Sequence, residues 1–325
     1  MHRVVTTAAL VLVVALVASA CWSRSKDNGA PAASSGGGTG TSPPPERDLA
    51  PATGLKGRIV YSTVAGDLWT VAADGSNRRR LTDSGAGIDY SPTWSPDGKR
   101  IAFRTTRGSP SGPDPSNIFI INADGSGQRQ LTPPRGAAAG GLFPAWSPDG
   151  TWIAYSNGAG INLIRPDGSG RRPLGVPGEC AVWSPDGSEL MFCSNGINRG
   201  EGVDNWDVFV MDADGSNVRR LTRHVGQDYP GAWSPDGTQI AFFSRRDGDG
   251  DVYVMDADGA NLRRVTNQPG AQAADAWLPD GRLVIGSAQE GVEGPPDWFV
   301  LRPDGSGRAS LPQLKTAMEP IAWLP

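Results

Sequence analysis

Between Ala232 and Thr266 the apolar positions come in short runs cut apart by turn residues. Gln239-Ile-Ala-Phe-Phe-Ser244 and Asp251-Val-Tyr-Val-Met255 are built of apolar and β-forming residues, and each predicts a strand. The polar stretch Arg245 to Gly250 predicts a loop between them. Ahead of the first strand stands Ala232-Trp233 and the turn Ser234-Pro235-Asp236-Gly237, where Pro presets its own φ and Gly accepts a positive one. After the second, Asp258-Gly259 is a strong hairpin signal. Leu262-Arg-Arg-Val-Thr266 then predicts a fourth strand whose basic residues suit an exposed sheet edge. The segment reads as one four-stranded antiparallel meander.

The same pattern recurs along the chain. Trp-x-Pro-Asp-Gly corners begin at Trp94, Trp146, Trp183, Trp233 and Trp277, and a truncated corner begins at Trp323. Asp-Gly hairpins begin at Asp74, Asp124, Asp167, Asp214, Asp258 and Asp304. A repeat of roughly 40–50 residues with this all-β content predicts a propeller. Gly57-Arg-Ile-Val-Tyr-Ser62 starts at what would be a second strand, while Ala322-Trp323-Leu-Pro325 supplies a first strand with no followers. Joined, the two ends complete a sixth blade and leave no open face, so the expected fold is an all-β, six-bladed β-propeller over 54–325.

Composition changes this picture little. The 44 Gly and 28 Pro meet the demand of many tight turns, and the net charge of −4 argues against nonspecific nucleic-acid binding. Residues 1–20 read as a secretory signal, with basic His2-Arg3, an apolar Ala8 to Val17, and small Ala18-Ser-Ala20 before Cys21. Two cleavages are open. The signal could be trimmed after Ala20 to release a soluble periplasmic or secreted protein. Alternatively, Ala18-Ser-Ala-Cys21 resembles the bacterial lipobox, with Ala18 where Leu is usual, and Cys21 would then carry a lipid. The second is favoured, because Cys21 has no other evident use at that place. Residues 21–53, with Gly36-Gly-Gly38 and Pro43-Pro-Pro45, predict a flexible tether. In the Trp183 corner, a register that sets Ser184 against Glu189 also sets Cys180 against Cys193, so export favours a disulfide between them over two buried thiols.

Trp233-Ser-Pro-Asp-Gly-Thr-Gln-Ile-Ala-Phe-Phe-Ser244 and Asp207-Val-Phe-Val-Met-Asp-Ala-Asp-Gly215 resemble the WD40-like propeller repeats of the TolB family. The resemblance spans about 57–325. It implies a monomeric propeller in the cell envelope that binds a protein or peptide and is not an enzyme. The family's α/β domain before the propeller has no counterpart here, where the tether stands, so a role in a Tol-type machine does not carry over. The resemblance points instead to a free-standing lipoprotein.

In propellers the first strand of each blade lines the central channel, so the residues before each corner Trp are the candidate site. They offer Asp89, Glu179, Asp228, Asp275 and Glu319 as carboxylates, Asp275 being out of register, with Tyr90, Phe143 and Tyr229 as aromatic faces. A ring of acids in a narrow mouth focuses negative potential, and aromatics beside it suit a cationic guest. Ordinary turn-capping acids are the competing reading. Arg78-Arg-Arg80, Arg219-Arg220 and Arg263-Arg264 read as edge protection, with binding there left open. Catalytic alternatives are weak: His2 and His224 are the only histidines, too few for a His-rich metal site, and no Gly-x-Ser-x-Gly elbow occurs. Asp247-Gly-Asp-Gly-Asp251 has calcium-loop spacing, but Val252 and Asp258 stand where an EF-hand needs Gly and Glu. No cofactor is expected; the runner-up is a calcium-dependent hydrolase or lactonase working in the channel.

Overall fold

The structure is a computed structural model that describes residues 49–85, 87–107, 116–133, 140–197, 205–289, 292 and 294–325, apart from the Glu319 side chain. It is a six-bladed β-propeller of four-stranded antiparallel sheets. Blade 1 combines the ends: Ala317–Leu324 is its inner strand and pairs with Arg58–Thr63, followed by Leu68–Ala72 and Arg79–Arg80. The other inner strands are Asp89–Trp94, Leu142–Trp146, Glu179–Trp183, Asp228–Trp233 and Ala271–Trp277, in blades 2 to 6. The closure expected from the split repeat is therefore present. At its seam Gly57 has φ 106°, and a Cβ there would lie 2.1 Å from the Leu324 carbonyl oxygen, so the seam takes only glycine.

Each recurring motif has a mechanical role. In the corners the Ser hydroxyl donates to the Asp two residues on, at 2.6 Å for Ser95–Asp97 and Ser234–Asp236. That bond and the backbone N–H of Thr238 hold the Asp236 carboxyl at about 2. Corner Trp side chains pack on the preceding blade: Trp233 lies among Met191, Val208 and Val210 of blade 4, and its Nε1 donates to the Val182 carbonyl at 3.3 Å. The Thr after the outer strands of blades 1, 2, 4 and 5 caps the third strand, as where Val208 N donates to Thr222 Oγ1 at 3.0 Å and Val252 N to Thr266 Oγ1 at 2.9 Å.

The outer arginines do more than protect edges. Arg79 donates to the Asp124 carbonyl at 2.6 Å, Arg172 to Ala213 at 3.2 Å and Arg219 to Ala257 at 2.9 Å, each reaching the Asp-Gly hairpin of the next blade. Arg129 reaches Pro166 in the same way. At the closing seam Gln313 substitutes for the arginine and donates to Ala73 at 2.7 Å. The second arginine of a pair serves its own blade, as in Arg220–Asp207 at 2.8 Å and Arg264–Asp251 at 2.5 Å.

Two further expectations change. Residues 49–53 belong to the expected tether, yet residues 49–52 lie along the outer strand of blade 6. The leader, Cys21 and the rest of the tether lie outside the described residues. Cys180 is not opposite Cys193: pairing runs Trp183↔Leu190 and Val182↔Met191, then slips, and Glu179 faces Cys193. The cause is a β-bulge with Cys180 at φ 58°. Both residues are buried thiols with no disulfide between them. Burial pushes the Cys180 thiol well up, and its hydrogen bond with Cys193 pushes the same way.

Candidate functional site

All six inner strands carry such an irregularity in their pairing. It decides where the candidate carboxylates point. Counted from the corner Trp, Asp89 and Asp228 stand five residues ahead, Glu179 and Glu319 four, and Asp275 two. Neighbouring positions of a strand face opposite ways, so Asp89 and Asp228 do not share a side with Glu179.

Asp89 and Asp228 are turned into their own blades and are fully buried. Arg107 grips Asp89 with two bonds, Nε at 3.0 Å and Nη2 at 2.6 Å. Arg246 Nη2 lies 3.2 Å from Asp228 Oδ2. Burial pushes the Asp228 carboxyl up, and hydrogen bonding from Ser244 and the Arg246 charge oppose it. Neither acid offers its charge to a ligand in the channel, which corrects the acidic-ring expectation for both.

The aromatic residues are also engaged. The buried Arg104 guanidinium sits 4.5 Å from the Tyr90 ring centroid and 5.9 Å from that of Phe143, and its Nε donates to Ser116 at 2.8 Å. The cation predicted for these rings thus comes from the chain itself. Tyr229 is buried between Trp206 and Phe243, at centroid distances of 6.0 and 6.1 Å. Leu142, Phe143, Cys180, Tyr229 and Phe243 form one apolar cluster across blades 3, 4 and 5.

Asp275 lies at the bulge between Ala274 and Ala276 and accepts the Ile321 backbone N–H of blade 1 at 2.8 Å. Burial between these inner strands pushes its carboxyl up to about 7. A carboxyl that holds its proton more tightly folded than unfolded makes stability fall as pH rises from about 4 to 7. Asp207, pushed up to about 6 by burial against the opposing pull of Arg220, acts in the same direction. Asp275→Asn keeps the acceptor and removes the titration. It is expected to raise stability by about 2 kcal/mol at pH 8 and by little at pH 4.5, a difference that thermal melts at the two pH values read directly.

Glu179 is placed differently. It lines a pocket of about 310 Å³ with Asn157, Ser194, Asn195, Trp206 and a rim of glycines including Gly140, Gly158 and Gly196. The pocket opens on the face where the inner strands begin. Trp206 was not among the sequence candidates; its signal was a Trp outside the corner position, just before the Asp207–Asp212 strand. The same face carries the loop residues Val64, Ile88, Ile197, Val225 and Val292, all exposed, Val225 at 89%. The other exposed large apolar residues among the described ones, Val218 and Leu262, sit at equivalent hairpin positions on the opposite side. The Glu319 side chain lies outside the described residues.

The calcium-loop acids do not converge. Tyr253 donates to Asp247, Gly270 N donates to Asp249 at 3.3 Å, and Asp251 is paired with Arg264. Among the described residues no group of three or more His, Cys, Asp or Glu is placed to hold a metal ion. His224 Nδ1 accepts from Gly226 N at 3.0 Å.

Comparison with known proteins agrees with this architecture. The family model of the Tricorn protease N-terminal beta propeller domain matches residues 202–319. The Tol-Pal system protein TolB of Gluconobacter oxydans is 32% identical over 209 residues, covering 49% of this chain and 45% of that protein. A TolB homolog of Chlorobium luteolum is 28% identical over 172 residues, 52% of this chain and 37% of the relative. The chain therefore spans about half the length, or less, of these curated relatives. Among solved structures, TolB from Acinetobacter baumannii superposes with a TM-score of 0.65 at 22% identity, covering 83% of this chain and 67% of that one. At that identity the structural likeness is one of fold.

Proposed function

The chain is a TolB-like six-bladed β-propeller, and on that premise we propose that it is a non-enzymatic binding module of the cell envelope. In this reading it is exported by residues 1–20 and held at a membrane by a lipid on Cys21. It acts as a monomer, without a cofactor, and binds a protein or peptide rather than nucleic acid. The relatives named TolB supply the envelope setting; the face that binds is argued from this chain.

One observation carries the choice of face. The Glu179–Trp206 pocket and five exposed aliphatic residues share the side where the inner strands begin. Aliphatic tips around a pocket with an acid and an indole suit a partner that inserts a Lys or Arg and rests apolar side chains on the rim. Fold analogy contributes the class of function and no more.

The test is cross-linked capture from envelope extract by the full chain, run beside a Glu179→Gln, Trp206→Ala, Val225→Asp variant whose melting temperature matches the parent. A partner taken by the parent and reduced at least tenfold by the variant supports the pocket face. Equal capture by both moves the binding site to the blade edges or the corner face.

A further inference from the structure

The outer strands of blades 1 to 5 are Arg79–Arg80, Arg129–Gln130, Arg172–Pro173, Arg219–Arg220 and Arg263–Arg264. Every one places charge, and one a proline, at a sheet edge that would otherwise template another strand. Blade 6 departs from the pattern: its outer strand is Ala309–Ser310. The preceding Arg308 is folded back over the Phe299 ring at 3.8 Å. This neutral edge is the one that residues 49–52 cover. Ala52 N donates to the Ser310 carbonyl at 2.8 Å, Ser310 N donates to the Ala50 carbonyl at 2.9 Å, and the Ser310 hydroxyl donates to the Leu49 carbonyl at 2.9 Å. Pro51 bridges Ser310 in parallel. Leu49, like Val265 and Trp277, packs against the apolar cluster shared by blades 5 and 6, which includes Val252, Val254, Leu283 and Phe299.

We propose that the outer edge of blade 6 is a strand-addition site for an extended partner segment, which residues 49–52 occupy until the partner displaces them. The internal occupant defines what fits: an aliphatic anchor in place of Leu49, small residues after it, a carbonyl one position beyond the anchor and an N–H three positions beyond. The strap is held by three hydrogen bonds, the half-buried Leu49 and the packing of Ala52 on the blade 6–blade 1 cluster, with no charge pairing among these contacts, so its covering is local and separable from the ring. Backbone pairing to a bare edge supplies affinity in this mode, and the anchor pocket supplies selectivity. The site lies at the circumference and is independent of the Glu179 pocket, so either can fail without the other.

The probe is a fluorescent peptide of this chain's residues 46–56, titrated by anisotropy against the full chain. A tethered strap competes at an effective concentration in the millimolar range, so the parent should bind the peptide weakly. Leu49→Asp with Ala52→Pro removes the anchor and the N–H that reaches Ser310, and should tighten peptide binding at least tenfold. Adding Ser310→Pro, which removes the donor to the Ala50 carbonyl, should abolish the gain. A folded strap variant that ignores the peptide, or binding that survives Ser310→Pro, overturns the proposal. Hydrogen exchange on the unmodified chain gives a second reading that needs no variant. The Ala52 and Ser310 amides should exchange at least a hundredfold faster than that of Ile285 in the middle of the same blade. Equal protection would mean that the edge never opens, and would overturn it too.

Discussion

A chain that stops after Lys315 is expected to lose cooperative unfolding altogether. The missing residues would include the Ala317–Leu324 strand, which pairs with Arg58–Thr63 from Thr63↔Ala317 to Arg58↔Leu324. They also supply the Ala317 carbonyl that accepts from Trp298 Nε1 at 3.1 Å, and the Trp323 Nε1 that donates to Lys56 at 3.0 Å. Ala317, Met318 and Ile321 are buried, the first and last within the cluster that joins blade 6 to blade 1. At about 1 kcal/mol per net hydrogen bond and about 2 kcal/mol per buried aliphatic side chain, the loss is on the order of 10 kcal/mol. That matches the whole stability of an ordinary domain. Calorimetry and near-ultraviolet circular dichroism should show no sharp transition and little fixed aromatic packing. A melt that stays cooperative within a few degrees of the parent would mean that packing between blades, and not the shared strand, holds the ring shut.

The shared strand was legible because both halves of one repeat stand at opposite ends of the sequence, each carrying its own turn chemistry. Pro-Asp-Gly corners and Asp-Gly hairpins specify backbone angles locally, and the alternation between them specifies strands, so blades could be counted without any tertiary information. The bulges were not legible. One extra residue in a strand leaves the apolar pattern nearly unchanged, and the left-handed positions in blades 2, 3 and 4 are Ser91, Phe143 and Cys180, none of them the glycine that would mark such a site. The expected pairing of Cys180 with Cys193 followed the strand correctly as far as Val182 and failed one residue later.

The candidate site suffered for a related reason. Carboxylates near the corner Trp could be found by spacing, but their facing depended on bulges, and their neutralisation depended on Arg107 and Arg246, eighteen residues further along the chain. Arg104 filled the aromatic faces from a neighbouring strand, which no spacing within the Asp89–Trp94 strand announces. Glu179 kept its place at an accessible pocket because blade 4 sets it four residues before the Trp rather than five. The strap over blade 6 did leave a trace: the missing arginine at Ala309–Ser310 is a break in an edge device that the outer strands of blades 1 to 5 all carry. Its meaning depends on seeing what lies against that edge.

Arg246→Met is expected to cost about 3–5 kcal/mol at pH 8, the range for removing one partner of a buried ion pair. Asp228 has no exposed surface, while Arg246 reaches it at 3.2 Å and spends its Nε on Ser244 at 2.8 Å. The guanidinium also lies 4.7 Å from the Tyr253 ring centroid and 5.3 Å from that of Phe242. Methionine keeps much of the apolar contact with those rings, so most of the loss reports the stranded charge. Two signatures separate this from a simple packing defect. Burial already pushes Asp228 upward, and without Arg246 the carboxyl should take a proton more readily, so the deficit should shrink as pH falls from 8 to 5. Adding Asp228→Asn should then restore stability, because the second change removes the charge that the first left unpaired. Denaturant melts of the four proteins of this cycle at both pH values give the answer. A deficit that is independent of pH and persists in the double variant would assign Arg246 to packing against Phe242 and Tyr253. Blade 5 would then stand without the ion pair.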